Sequence, residues 1–156
     1  NDPSYRFTRY SWPAEFVVRA IKEVGWQNYS LDRVLDPLAN MGMQLYEPPN
    51  VGGWPGGAAW VSTATMMTRS NFAATLAANQ REFLAVDMRP TERTPQTLLT
   101  GMLDRVRLAP LDQAPQRALE AYVLAEENWS GQDYQLQTRA SGLARLLVGS
   151  SEYQLV

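Results

Sequence analysis

The sequence predicts an all-α bundle. Apolar residues recur at the 3.6-residue helical period in six separate segments, and Ser, Thr, Asp and Pro stand where helix starts need them. No segment alternates apolar and polar residues as a half-buried strand does. One stretch, residues 43–61, is too dense in Pro and Gly for any regular element.

Residues 1–10 are polar and aromatic without a period. Ser11 is placed to cap the first helix, with Pro13 in the first turn, where a missing N–H costs nothing. Phe16, Val17, Ala20, Ile21 and Val24 form its apolar stripe, and Gly25 ends it. Ser30 is expected to cap a second helix carrying Leu31, Val34, Leu35, Leu38 and Met41. Pro37 should kink or split it, and Gly42 should stop it.

Ser62 or Thr63 then opens a long helix reaching about residue 86, with Met66, Met67, Phe72, Leu76 and Phe83 as apolar positions. Ala73, Ala74, Ala77 and Ala78 leave room for close approach of a neighbour. A polar link over 87–93 contains Pro90. Thr94-Pro95 opens a helix with Leu98, Leu99, Met102, Leu103 and Val106 on one face, broken at Pro110. Asp112 caps the next, Pro115 lies in its first turn, and Leu119, Tyr122 and Val123 look inward. After a turn at Trp129-Ser130-Gly131, the last helix spans about 133–148 with Leu136, Leu143, Leu146 and Leu147. The 156 residues read as one domain, with a motif-bearing part over 1–86 and a three-helix part over 94–148.

At 45% hydrophobic residues the chain has enough apolar material for a core. With 14 basic and 16 acidic residues, its charge of -2 gives no electrostatic reason to expect nucleic acid or an anionic membrane. Lys22 is the only lysine, so arginine carries nearly all positive charge. The chain has no His and no Cys, which removes imidazole and thiol catalysis, disulfides and the usual zinc and transition-metal ligands. No metal site and no cofactor are expected. Glu126-Glu127 reads as a solvated face, and no EF-hand loop is present. No apolar run reaches the roughly 20 residues of a membrane span. Asn1-Asp2-Pro3-Ser4 lacks the pattern of a signal peptide and reads as a cut within a longer polypeptide. Asn28-Tyr29-Ser30 and Asn128-Trp129-Ser130 match the glycosylation acceptor pattern at a level that chance explains.

The long loop is the candidate site. Gly52-Gly53-Trp54-Pro55-Gly56-Gly57 lacks the lysine and hydroxyl residue of a phosphate loop. Leu45, Tyr46, Val51, Trp54 and Trp60 argue for order rather than disorder. Two readings follow: a buried plug packed on the following helix, which is preferred, or an exposed aromatic platform for a sugar or a proline-rich peptide. Glu47 is the loop's one acid. It is suited to general acid–base work only with a second carboxylate about 5–9 Å away, for which Asp36 is a candidate. The preferred alternative is an ion pair with Arg69 that holds the loop down. Asn71 falls on a different helical face and has an amide suited to loop carbonyls. The candidate binding set is Tyr46, Glu47, Asn50, Trp54, Trp60, Arg69 and Asn71.

Several stretches together resemble one known family: Trp12-Pro13-Ala14-Glu15-Phe16-Val17-Val18, Leu38 to Gly42, and Leu45-Tyr46-Glu47-Pro48-Pro49-Asn50-Val51-Gly52-Gly53-Trp54-Pro55-Gly56-Gly57. Ala59-Trp60, Arg69-Ser70-Asn71-Phe72-Ala73 and the closing Ser150-Ser151-Glu152-Tyr153-Gln154 follow. The chain resembles the C-terminal part of the bacterial "domain of unknown function 1800" family, most closely over residues 11–73. The resemblance implies a larger, mostly helical and commonly exported parent, in the periplasm or cell envelope. It implies no activity, cofactor or catalytic residue. The favoured expectation is a scaffold or binding module whose aromatic loop packs on its own helices, on the missing N-terminal part or on a partner protein. The alternatives are an exported carbohydrate-binding or carbohydrate-active protein using Trp54, Trp60, Tyr46 and Glu47, and a groove for extended peptides.

Overall fold

The structure, a computed structural model, describes residues 5–25, 30–79, 90–125 and 128–156. Among these residues six α-helices form a bundle, and the only β pairing is an isolated antiparallel bridge between Tyr10 and Leu155. The expected extension of the third helix to residue 86 with Phe83, the start of the polar link, most of the Asn28-Tyr29-Ser30 motif and Glu126-Glu127 lie outside the described residues.

Helix α1 (Pro13–Val24) begins at the predicted Pro, but Trp12 rather than Ser11 occupies the N-cap position. The Trp12 N–H donates to the Glu15 carboxylate at 2.9 Å, satisfying one donor ahead of the first turn. Ser11 cannot serve there because its hydroxyl is turned inward to Arg69. At the other end Gly25 takes φ +81°, a left-handed value that closes the helix through its N–H to Ile21 O.

Helix α2 (Asp32–Asn40) departs from expectation at its start. Leu31, not Ser30, is the N-cap residue, and no side chain caps it. The helix is continuous across Pro37 instead of splitting there. A proline in the sixth position withholds one N–H from the Arg33 carbonyl, and the buried Leu38 and Met41 hold the segment in place beyond it. Its apolar stripe is narrower than predicted, since Leu31 and Leu35 are exposed.

Helix α3 (Thr63–Asn79) is capped reciprocally: the Thr65 N–H donates to Ser62 Oγ and the Ser62 N–H to Thr65 Oγ1. Phe72, Ala73, Leu76 and Ala77 are buried as expected, whereas Met67 faces solvent. Helix α4 (Pro95–Arg105) follows a Thr94–Thr97 box of the same kind. Its last residue, Arg105, donates to the carbonyls of Glu23 and Val24 and so satisfies orphan acceptors at the end of α1. Helix α5 (Gln113–Leu124) buries Leu119 and Val123. Helix α6 (Asp133–Val148) buries Leu136, Ala140, Leu143, Ala144 and Leu147, but leaves the predicted core residue Leu146 partly in solvent.

The long helices α3 and α6 lie side by side at the centre. α1 and α2 pack on α3, and α4 packs on α5 and α6. A single buried cluster runs from Phe16 through Leu76 to Leu143 and Tyr153, so both halves of the chain contribute to one core. Residues 8–11 and 154–156 are clasped together: Thr8 and Arg9 N–H groups donate to Val156 O, Val156 N–H to Arg9 O, and Ser11 N–H to Gln154 O at 2.7 Å.

Candidate functional site

The loop over 43–61 is fastened at its two ends. At the first, the Met43 N–H donates to Leu38 O at 2.9 Å and the Met43 side chain is buried. At the second, a short 3-10 turn (Gly57–Trp60) carries Trp60 into the core at 3% exposure. The Trp60 ring packs on Trp12 with centroids 6.3 Å apart and planes tilted by 42°. Trp60 O also accepts from Thr65 Oγ1, which ties the turn to the first turn of α3. Trp54 is half-buried, and neither its indole N–H nor that of Trp60 finds an acceptor among the described residues.

Between these anchors the loop is held by local hydrogen bonds. Glu47 N–H donates to Gln44 O, Gln44 Nε2 to the Glu47 carboxylate, Gly52 N–H to Asn50 Oδ1 at 2.8 Å, and Gly53 N–H to Asn50 O at 3.0 Å. Asn50 therefore acts as an Asx turn, with Gly53 supplying φ +87°. The apolar side chains here do not pin the loop as the sequence suggested. Leu45 is 39% exposed, Tyr46 93% and Val51 112%. Tyr46 also takes φ +67°, a left-handed conformation that costs a residue with a Cβ about 1–2 kcal/mol. Main-chain bonds and two buried ends fix the loop, which frees its middle side chains to project.

The expected Glu47–Arg69 ion pair is absent. Glu47 is exposed and answered by Gln44, while Arg69 is 0% exposed within the core. The Arg69 guanidinium donates to Ser11 Oγ at 3.0 Å, Ser11 O at 2.9 Å and Gln154 Oε1 at 2.8 Å, and lies 4.9 Å from the Phe16 ring centroid. Gln154 in turn donates to the carbonyls of Val148 and Ser150. Among the described residues no carboxylate pairs with this buried cation, and desolvation lowers its pKa to about 10. Arg69 thus joins the segment before α1, helix α3 and the segment after α6. Asn71, two residues on, is exposed toward α2 rather than toward the loop.

These three joined segments are the same ones that carried the family resemblance, together with the loop anchored beside them. The family model described as "Protein of unknown function (DUF1800)" matches residues 2–155. The chain belongs to the DUF1800 family. The match extends through residues 87–130, where no recognisable motif stands, so the whole bundle is a family feature rather than the loop alone. No curated protein and no solved structure matches the chain.

Seen on this DUF1800 fold, the candidate residues fall into separate places. Tyr46, Glu47 and Asn50 sit on the outward side of the loop, Trp54 half within it, Trp60 beneath it, Arg69 in the core and Asn71 on the far face of α3. The sequence reading missed Ser11, Trp12, Met43 and Gln154 as the parts that hold the site. The available signal was a lone arginine on an alanine-rich helix, which needs acceptors from elsewhere once buried. Among the described residues no cluster of acidic groups is arranged to hold a metal, and no helix is long and apolar enough to cross a membrane.

Proposed function

We propose that this chain is a helical scaffold that presents loop 43–61, in one fixed conformation, to a second protein surface. The bacterial, exported setting implied by the family resemblance belongs to the same reading. The observation that carries it is Tyr46: an aromatic side chain 93% exposed, in a strained backbone conformation, three residues beyond the buried anchor Met43. Strain persists where the surrounding structure over-determines it, and such positions concentrate at contact sites. A rigid tyrosine also brings large contact area at low entropic cost, which suits the centre of an interface. Val51 adds a second outward apolar group from the same loop.

The carbohydrate reading finds less support at this loop. It needs open indole faces and a paired carboxylate, whereas Trp60 is covered by Trp12 and Glu47 is engaged with Gln44. The test is photocrosslinking in the producing cell, with a benzophenone amino acid at position 46. The reading expects one discrete covalent adduct to a single protein surface, in the same polypeptide or another. Position 134, where Tyr134 is 61% exposed, serves as the control. Adducts at 46 that are no more abundant or discrete than those at 134 would sink the proposal.

A further inference from the structure

We infer a second binding place, away from the loop, for a neutral polyhydroxylated ligand of the size of a mono- or disaccharide. It is a groove of about 310 Å³ between α2 and α3. From α2, Arg33, Asp36 and Asn40 face into it, and from α3, Thr68, Asn71 and Thr75. Thr68 donates to the carbonyl of Ala64. Among the described residues the side chains of Arg33, Asp36, Asn40, Asn71 and Thr75 make no hydrogen bond or ion pair. Donors and acceptors from two helices therefore converge on one concavity without satisfying one another.

The chemistry of the lining selects the ligand class. One guanidinium and one carboxylate cancel, so the groove has no net charge to favour an anion or a cation. Two amides and the Thr75 hydroxyl each both donate and accept, and the Thr68 oxygen still accepts, which matches the dual character of sugar hydroxyls. The half-buried Pro37, with the little of the buried Phe72 ring that reaches the groove, supplies an apolar base for the C–H face of a ring. The volume lies at the low end of small-molecule sites, and the groove is open, so affinity in the millimolar range is expected.

The test is amide-resolved NMR titration of the whole chain with glucose, mannose, N-acetylglucosamine and cellobiose, and separately with inorganic phosphate. The inference expects saturable shifts from at least one sugar, confined to amides of 33–40 and 68–75. It also expects binding weakened about tenfold or more in Asp36→Ala/Asn71→Ala. Both positions are exposed, so an unchanged amide spectrum elsewhere certifies the fold of the variant. Absence of shifts with all four sugars, equal binding by the double variant, or tighter binding of phosphate overturns it. Sugar shifts centred on residues 45–60 also overturn it, and would return the ligand to the aromatic loop. Because the groove and the loop share no residue, failure here leaves the crosslinking result untouched.

Discussion

Arg69 sets the terms at the level of single residues. The downward shift of its pKa to about 10 corresponds to a burial penalty of about 3 kcal/mol. Its three hydrogen bonds to Ser11 and Gln154 outweigh that, at roughly 1.5–3 kcal/mol for each bond to a charged group. Arg69→Met removes penalty and bonds together and leaves buried acceptors unanswered. We expect a loss of at least about 2 kcal/mol by denaturant unfolding, with no compensating gain from the added apolar volume. Tyr46 behaves in the opposite sense. Tyr46→Gly relieves the left-handed strain of an exposed residue, so stability should hold or rise by up to about 1 kcal/mol, while the adduct formed by a benzophenone amino acid placed at the exposed position 51 of the same loop is lost. A fall in stability would show instead that the tyrosine is part of the loop's own packing.

Helix α1 shows how an element's ends respond to pH. Arg9 pairs with Glu15 at 2.7 Å, and this hydrogen bond, more than the one from the Trp12 N–H, holds the Glu15 carboxyl below the usual carboxylate range. Its folded pKa is therefore lower than its unfolded one. The stabilisation is present above the ordinary carboxylate pKa and fades as pH falls through the depressed value. Both side chains are about half exposed, so the effect is a few tenths of a kcal/mol. Glu15→Gln should lower the Tm slightly at pH 7 and leave it unchanged near pH 2, as read by thermal unfolding at both values.

The contact between α5 and α6 is a sharper case. A Cβ on Gly142 would stand 1.7 Å from the Tyr122 hydroxyl oxygen, so the Tyr122 ring lies over α6 here only because that position has no side chain. Gly142→Ala should cost about 1–3 kcal/mol by overpacking, although alanine is the better helix former. A neutral or stabilising outcome in thermal unfolding would mean that α5 can shift away without loss.

Across the whole molecule, the clasp between residues 8–11 and 154–156 closes the fold over the longest sequence separation bridged by a backbone hydrogen bond among the described residues. Tyr153 is fully buried, edge-on to Phe16 at 5.9 Å with Arg19 stacked 4.1 Å above its ring. Tyr153→Ala should therefore cost about 3–5 kcal/mol, as for any large buried aromatic. It should also raise hydrogen exchange in the Ser11–Trp12 segment and in the loop that rests on Trp12. Exchange confined to the residues after α6 would show that the clasp is an independent unit.

Much of this arrangement could be read directly from the residues. The helical period and the capping chemistry are local, so the six helices and the stops at Gly25 and Gly42 follow from neighbours in sequence. The cross-chain choices could not be read this way. Which acceptor a buried arginine takes, whether a tyrosine turns in or out, and which proline a helix tolerates depend on what packs opposite. Arg69 went to Ser11 and Gln154, 58 and 85 residues away, rather than to the nearer Glu47. Local periodicity determines where helices form because hydrogen bonds within a helix span only four residues. Burial is decided by the helix that arrives from elsewhere in the chain, and only the tertiary structure contains that partner.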